Sequence, residues 1–122
     1  MTNQANNDCI FCQIINGKAE PGKGKVYEDD KFMAILDLYP KAKNHTLIIS
    51  KKHYKTLLDL PTSQGNELQE AIKNVSLDLI NTKKAEAINV LSNVGEIAGQ
   101  IVSHLHVHII PRKKDDNLKI IS

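Results

Sequence analysis

Histidine and aliphatic residues alternate along positions 104–110, near the C-terminal end of the chain. Successive side chains of a β-strand point to opposite faces, so the alternation predicts a strand with three imidazoles on one face and aliphatic side chains facing the core. Three of the five histidines lie in this one run, which points to chemistry rather than to chance. We predict that the strand spans 101–110 and ends at Pro111. Its histidines are His104, His106 and His108, and its core residues are Leu105, Val107 and Ile109.

Four further strands are predicted by runs of β-branched and aromatic residues that end at turn residues. They are 26–27, 31–37, 45–50 and 87–93. The first two form a hairpin at Asp29-Asp30, with a turn at 21–24 before it, and Pro40 ends the second strand. A glycine-flanked loop at 95–99 separates the fourth strand from the histidine-rich strand.

Two helices are predicted from apolar residues that recur with a period of 3.6. The long helix begins at Thr62 or Ser63, after Pro61, and fades over 81–84. Its apolar face contains Leu68, Ala71, Ile72, Val75, Leu79 and Ile80. The short helix has two turns and stops at Asn16-Gly17. Its apolar face, formed by Ile10, Phe11, Ile14 and Ile15, is either core or one wall of a pocket.

Length and charge exclude several classes of protein. At 122 residues the chain fits a single domain, which we place at 9–122. Its 16 basic and 14 acidic residues give a formal net charge of +2, and the lysines are scattered, which argues against a binder of duplex nucleic acid. No apolar run approaches the roughly 20 residues that span a bilayer. Residues 1–8 lack the features of a signal peptide, so we expect a flexible polar tail and a cytoplasmic protein.

Two cysteines, Cys9 and Cys12, have the spacing of a redox pair or of half a four-ligand metal site. A redox pair opens a helix after a buried strand, whereas here a polar tail precedes Cys9. The sequence therefore favours a metal, provided that two further ligands exist.

The histidine run allows two kinds of chemistry, because an imidazole can be a nucleophile, a proton carrier or a metal ligand. If His106 attacks a phosphorus atom, it needs a free ring nitrogen and a hydrogen bond that fixes its tautomer. His108 would contact the phosphate oxygens, with Asn93 and Gln100 as neutral donors. Alternatively, histidines two positions apart on a strand share a metal ion. Further ligands for it are Cys9, Cys12, His45 and His53. The two uses are compatible.

The run 104–110, preceded by Gly99-Gln100 and Asn93, resembles the signature of the histidine triad family of nucleotide-binding hydrolases and transferases. The resemblance covers nearly the whole chain, and the chain looks most similar to bacterial members of the nucleoside phosphoramidase branch. Matching segments in the N-terminal half are 8–15, 26–30, 35–37 and 45–53. The resemblance implies an α+β fold with a five-stranded antiparallel sheet, one long and one short helix, and a symmetric homodimer.

A mechanism is also implied by the resemblance. The middle histidine, His106, attacks the α-phosphate of a nucleoside phosphoramidate or mixed phosphoanhydride, and water regenerates it from a nucleotidyl-histidine. Asp37 matches the carboxylate that binds the ribose, although its place at the end of the hairpin equally suits a turn cap. His108, Asn93 and Gln100 match the positions beside the phosphate, and His45 matches the outer histidine that supports the triad. The base pocket, which in this family prefers purines, matches Ile10, Phe11, Ile14, Ile35 and Leu38.

Zinc is the implied cofactor. Bacterial members with two cysteines resemble the galactose phosphate uridylyltransferases, which hold zinc through both cysteines, the histidine after the third strand and the first triad histidine. Those positions are filled by Cys9, Cys12, His53 and His104. Four protein ligands leave no open position for a catalytic water, so the implied zinc is structural.

One residue departs from the family pattern. Many phosphoramidases have a serine directly after the Gly-Gln pair, placed to donate to the leaving group, whereas this chain has Ile101. This departure keeps two alternatives open. The chain is either a nucleotide-binding or partner-regulating module with weak turnover, or a zinc hydrolase that uses its histidines as ligands.

Overall fold

A five-stranded antiparallel sheet forms the centre of the computed structural model, which describes residues 8–20 and 24–120. Its strands are β1 (Lys25–Glu28), β2 (Phe32–Leu36), β3 (Thr46–Ser50), β4 (Ala87–Leu91) and β5 (His106–Arg112), in the spatial order β1-β2-β3-β5-β4. All neighbouring strands are antiparallel. The predicted sheet is confirmed. Residues 1–7 of the predicted tail and 21–23 of the predicted turn lie outside the described residues.

Two α-helices accompany the sheet, α1 (Ile10–Ile15) and α2 (Gly65–Asn81). The predicted start of α2 at Thr62 or Ser63 is two to three residues early, because Thr62–Gln64 form a 3-10 turn in which Gln64 N–H donates to Pro61 O at 2.9 Å. Two further 3-10 turns, Leu57–Asp59 and Glu96–Ala98, are not predicted from the pattern. No helix within the described residues is both long and apolar enough to cross a membrane.

The sheet buries a different cluster on each face, as the alternation of strand side chains requires. On one face, Val107 and Ile109 of β5 pack with Ala71, Val75 and Leu79 of α2. Leu77 and Ile80 of α2 are 44% and 40% exposed, so the predicted apolar face is wider than the buried contact.

The second face packs against α1, and it is the face that carries the histidines. Phe11, Cys12 and Ile14 of α1 are buried in one cluster with apolar residues of β2 and β3. Those strand residues are Met33, Ile35, Leu47 and Ile49. Ile49 is paired with His106 across the β3–β5 ladder, so the His106 side chain lies on the α1 face.

The observed β5 differs from the predicted strand at both ends. It begins at His106 rather than at 101, because the backbone N–H groups before it bond outside the sheet ladder: His104 N–H donates to Val102 O at 2.9 Å and Leu105 N–H donates to Tyr54 O at 2.7 Å. The prediction that all three histidines lie on one strand face is therefore wrong for His104, which precedes the strand.

Pro111 lies inside β5 instead of ending it. Arg112 O faces β4, where it accepts from Glu86 N–H at 3.0 Å, so the nitrogen of Pro111 faces the β3 side. The pairing of β5 with β3 stops at Ile109. Pro111 therefore faces no β3 partner that would need the backbone N–H that proline lacks.

Candidate active site

His106 is held by main-chain groups in an orientation that leaves one ring nitrogen available. Its Nδ1–H donates to His104 O at 2.7 Å, and its side chain is buried at the α1 face. The hydroxyl of Ser92 donates to His106 O at 2.8 Å, which fixes the backbone at the first residue of β5. Because Nδ1 is used as a donor, Nε2 is the atom whose lone pair can face a substrate.

His45 and His108 form a hydrogen-bonded pair whose tautomers follow from a backbone contact. Lys41 N–H donates to His45 Nδ1 at 3.0 Å, so the proton of the uncharged His45 ring is on Nε2. His45 Nε2 lies 3.0 Å from His108 Nδ1 and donates to it. His108 must then carry its own proton on Nε2, where it is an N–H donor.

Burial keeps this pair uncharged near neutral pH. It lowers the pKa of His108 to about 4, and the neighbouring His106 and His45 rings act in the same direction. The pKa of His45 is also lowered, chiefly by burial, although the carboxylate of Asp37 opposes this shift. His108 is thus a hydrogen-bond donor that does not itself bring a positive charge.

Asp37 caps a turn and lies beside the histidine pair, while ribose binding stays a prediction. Its Oδ1 accepts from Tyr39 N–H at 3.0 Å, which caps the turn after β2. Its Oδ2 lies 3.5 Å from His45 Nε2, beside the histidine pair. The carboxylate is therefore fixed next to the triad.

The predicted base-pocket residues separate into two groups. Phe11, Ile14 and Ile35 meet in the buried cluster beneath α1. Ile10 and Leu38 are 44% and 53% exposed and lie outside that cluster. The base pocket remains a prediction, with a buried wall and two exposed apolar residues.

Gln100 links three parts of the loop that precedes the triad. Its Nε2 donates to Lys55 O at 2.7 Å and to Val102 O at 3.0 Å, while its Oε1 accepts from Gly95 N–H at 2.8 Å. Both amide hydrogens are therefore used by main-chain carbonyls. Asn93, the other predicted donor, donates from Nδ2 to Gly99 O at 3.4 Å.

Gly99 is required by its backbone conformation, because its φ of +99° is in the left-handed region that favours glycine. Space does not require it, since a Cβ atom there would lie 3.4 Å from Asn93 Nδ2, an ordinary van der Waals contact. In this structure Gln100 shapes the loop, and its predicted contact with a phosphate stays a prediction.

The four predicted metal ligands meet in one place, which we call the Cys2His2 cluster: Cys9, Cys12, His53 and His104. His104 Nδ1 lies 3.2 Å from Cys9 Sγ, 3.5 Å from Cys12 Sγ and 3.1 Å from His53 Nδ1. Cys12 Sγ lies 3.2 Å from His53 Nδ1. Ligand atoms around a tetrahedral zinc are separated by about 3.3 to 3.8 Å, and the observed separations lie in this range or at most about 0.2 Å below it, so a small outward shift of the donors would fit zinc.

Ser50 completes the surroundings of this cluster. His104 Nε2–H donates to Ser50 O at 2.7 Å, which turns the lone pair of Nδ1 toward the sulfur atoms. Burial lowers the pKa of His104 to about 4, as suits a histidine that ligates in its uncharged form.

Asp37, His45 and His108 form a second group whose ligand atoms lie within 4.8 Å of one another. Here His45 Nε2 carries a proton, because Lys41 N–H occupies Nδ1. A metal at Nε2 would require that backbone hydrogen bond to break. The geometry therefore favours a hydrogen-bonded chain over a metal site.

Three supporting contacts were not predicted from the sequence. They are the Ser50 carbonyl, the Lys41 N–H and the Ser92 hydroxyl. Two of these are main-chain groups, for which the residue type carries no signal. Ser92 follows a predicted strand, but a serine there is equally compatible with a solvent-exposed turn.

Comparison with known proteins agrees with this geometry. A model of the HIT domain matches residues 18–115. The chain belongs to the HIT family. It is 42% identical over 112 residues to the adenylylsulfatase HINT3 of Arabidopsis thaliana. The matched region covers 92% of this chain but only 56% of that relative. It is 40% identical over 111 residues to the adenosine 5'-monophosphoramidase HNT1 of Candida albicans, covering 88% of the chain and 72% of the relative.

A solved structure bears on the metal. The crystal structure of a zinc-bound histidine triad family protein from Mycobacterium smegmatis matches with a TM-score of 0.84 and 33% identity, covering 91% of this chain and 79% of that one. That protein holds zinc. In this HIT-family chain, the Cys2His2 cluster is consistent with zinc binding on the donor set and distances given above.

Proposed function

We propose that this chain is a nucleotide hydrolase or transferase that attacks the α-phosphate of a nucleoside phosphoramidate or a mixed phosphoanhydride through His106. The observation that supports this most directly is the ring of His106, whose Nδ1–H is held by His104 O at 2.7 Å while Nε2 is left for substrate. Two HIT-family relatives act on AMP-linked compounds, as their names state.

The reaction proceeds in two displacements. His106 Nε2 forms a bond to phosphorus as the bond to the leaving group breaks, which gives a nucleotidyl-histidine. Water then attacks the same phosphorus and displaces the imidazole. The hydroxyl of that water stays on the nucleotide, and its proton balances the one taken up by the leaving amine. The Nε2–H of His108 donates to the phosphate oxygens as negative charge develops.

The nucleoside end of the substrate is assigned to the other predicted residues. The Asp37 carboxylate accepts hydrogen bonds from the ribose hydroxyls, since its position beside His45 is fixed. A purine base packs on the apolar wall that includes Phe11 and Ile14, with the exposed Ile10 and Leu38 at its edges. Asn93 and Gln100 remain the proposed donors near the phosphate, and Gln100 would have to release one of its two main-chain carbonyl partners to donate there.

Zinc, when bound, would be held by the Cys2His2 cluster and would stabilise the fold without taking part in the displacement, because four protein ligands complete its tetrahedron. His104 belongs to the cluster through its side chain and to the reaction site through its carbonyl. The three triad histidines therefore have three different roles.

Intact mass spectrometry tests the proposal. After mixing with adenosine 5'-phosphoramidate and rapid quenching, we expect a mass increase of one adenylyl group on the wild type and none on His106→Ala. The matched control is Asn89→Ala, which removes a half-buried acceptor of Arg112 from the edge strand β4 and should still form the adduct.

The alternative of a binding module with weak turnover is favoured by one observation. Ile101 is 93% exposed and offers no donor to a leaving group. If the wild type binds AMP but forms no adduct with any base or leaving group tested, the binding module is correct and the hydrolase assignment is wrong.

We further propose that the chain works as a homodimer. β4 is an edge strand of the sheet, and its Val90 is 48% exposed and paired with Ile109 on the face that packs against α2, whose Leu77 and Ile80 are also exposed. An open edge next to exposed apolar side chains favours strand pairing with a second copy. We expect sedimentation to give the mass of two chains, and Val90→Lys to give one. An unchanged mass in Val90→Lys would place the interface elsewhere.

A further inference from the structure

Phe11 contacts both the Cys2His2 cluster and the proposed nucleophile. Its ring lies edge to face with the imidazole of His104, at 5.6 Å between centroids and 89° between planes. It lies in the same way against His106, at 5.2 Å and 70°. Such contacts are favourable beyond simple burial, because the positive edge of one ring meets the negative face of the other. At 6% exposure, Phe11 is held between the two imidazoles.

The cluster cysteines determine where Phe11 sits. Cys9 is the N-cap of α1, and its Sγ accepts from Cys12 N–H at 3.4 Å, so the two cysteines bracket the first turn that carries Phe11. A helix of six residues is not stable by itself and takes its position from tertiary contacts. Binding of both sulfur atoms to one ion would therefore fix the turn, and the ring of Phe11 with it.

His104 provides a second connection to His106. Its Nδ1 faces the sulfur atoms, while its carbonyl accepts from His106 Nδ1–H at 2.7 Å. The cluster thus acts on His106 from two directions, by a main-chain hydrogen bond and by the ring of Phe11. Only the second depends on a side chain that can be replaced without removing a metal ligand.

We propose that Phe11 is a positioning residue that couples metal binding in the Cys2His2 cluster to the orientation of the His106 imidazole, and thereby to nucleotide binding. The nucleotide part rests on the proposed function above, whereas the link between the cluster and His106 does not. Coupling between two sites is reciprocal, so a nucleotide monophosphate at His106 should change the affinity of the cluster for zinc by the same factor.

The link between metal and His106 can be measured without substrate. Long-range proton–nitrogen NMR of histidine-labelled protein resolves the ring nitrogens of His106, which are assigned by their loss in His106→Ala. When a chelator removes zinc from the wild type, we expect the His106 signals to shift. In Phe11→Leu, which keeps an apolar side chain but has no ring, at least half of that shift should be lost.

Met33→Leu is the matched control. Met33 is 6% exposed in the same cluster beneath α1, but it makes no ring contact with a histidine among the described residues. It should keep the full wild-type shift. If Phe11→Leu keeps the full shift as well, or if the wild type shows none, Phe11 does not couple the two sites.

The effect of nucleotide on zinc affinity is tested by equilibrium competition for zinc with a chelator of known affinity. The experiment starts from the zinc-loaded protein, so it is informative even if the chain unfolds when zinc is removed. Saturating AMP should change the zinc affinity of the wild type by about fivefold or more. In Phe11→Leu, the ratio of the zinc affinities measured with and without AMP should approach one. An equal ratio in both proteins would overturn the proposal.

Failure of the proposed function gives a different pattern. If His106 formed no adduct but zinc removal still shifted its signals through Phe11, the hydrolase assignment would fall and the coupling would stand. If the adduct formed normally and neither zinc removal nor AMP had the expected effect, the coupling alone would fall.

Discussion

The three triad imidazoles differ in the ring atom that each one presents, and main-chain groups set this difference. His104 donates from Nε2 to Ser50 O, so its Nδ1 lone pair faces the cluster sulfur atoms. His106 donates from Nδ1, which leaves Nε2 for substrate. His108 accepts at Nδ1 from His45 and therefore presents an N–H. One residue type thus supplies a metal ligand, a nucleophile and a neutral donor.

The partly buried His108 predicts how stability depends on pH. Its pKa is about 4 in the folded chain, against 6.5 for a free histidine, so between these values the unfolded chain binds more protons and stability falls as the pH falls. We expect urea unfolding to give a lower free energy of unfolding at about pH 5 than at about pH 7. His108→Asn should show a smaller loss, because the Asn oxygen still accepts from His45 but does not titrate.

The comparison at about pH 7 and about pH 8 is the control for this prediction. Both values lie above the titration of His108 in either state, so the variant and the wild type should show the same pH dependence there. Equal losses in both proteins at low pH would assign the effect to other groups.

Residue types carried the signal for the triad, but not for what orients it. The alternation of histidines and the Cys9 and Cys12 spacing can be read without a fold, and the structure brings those residues together. The Lys41 N–H and Ser50 O that set the tautomers are backbone atoms common to every residue. No pattern in the sequence distinguishes them.

Among the elements, the loop before β5 shows why the strand prediction began too early. Local alternation correctly predicts that Leu105, Val107 and Ile109 are buried, although His106 between them is buried as well. Upstream of the strand, Gln100 bonds to Gly95 N–H and to Lys55 O, and Lys55 is 45 residues away in sequence. Such a contact between distant segments is not encoded in the local pattern.

That loop also carries Ile101, the departure from the family pattern. Ile101 lines a cavity of about 320 Å³ together with Ile10 and His53, beside the Cys2His2 cluster. We expect Ile101→Ser to raise turnover of alkylamine phosphoramidates about tenfold relative to that of phosphate-leaving substrates, because a hydroxyl helps protonate the expelled amine. Steady-state rates on both substrate classes would show this. Stability should hardly change, since Ile101 is 93% exposed.

Ile97→Ser is the matched control for Ile101→Ser. Ile97 is fully exposed in the 3-10 turn of the same loop, and it does not line that cavity. The ratio of the two rates should stay at the wild-type value in this variant. If Ile101→Ser also leaves the ratio unchanged, the missing hydroxyl does not limit protonation of the amine.

For the molecule as a whole, the Cys2His2 cluster joins distant parts of the chain. Cys9 and His104 are 95 residues apart in sequence, and their ligand atoms lie 3.2 Å apart. The cluster thereby attaches α1 to the segment that leads into β5. A metal that binds only the folded chain contributes its binding free energy to folding, so its largest effect should be on global stability.

We expect about one zinc per chain, with the Cys2His2 cluster as its site. Cys9→Ser or Cys12→Ser should lose the metal, lower the melting temperature by about 10 °C or more and keep partial activity. His106→Ala should keep both the zinc and the fold but lose turnover, because it removes the nucleophile and no ligand. Metal content, thermal melting and rate, measured on the same preparations, separate these outcomes.

The zinc-hydrolase alternative predicts instead that zinc content and activity are lost together. There the ion would activate water, so His106→Ala would lose zinc, or stripping zinc from the folded wild type would remove all activity and adding it back would restore the rate. Either result would make the metal the reacting centre and the assignment of His106 as nucleophile wrong. The structure favours a metal with a structural role. The cluster uses Nδ1 of His104, whereas the His106 ring is bound by the His104 carbonyl and not by the metal site.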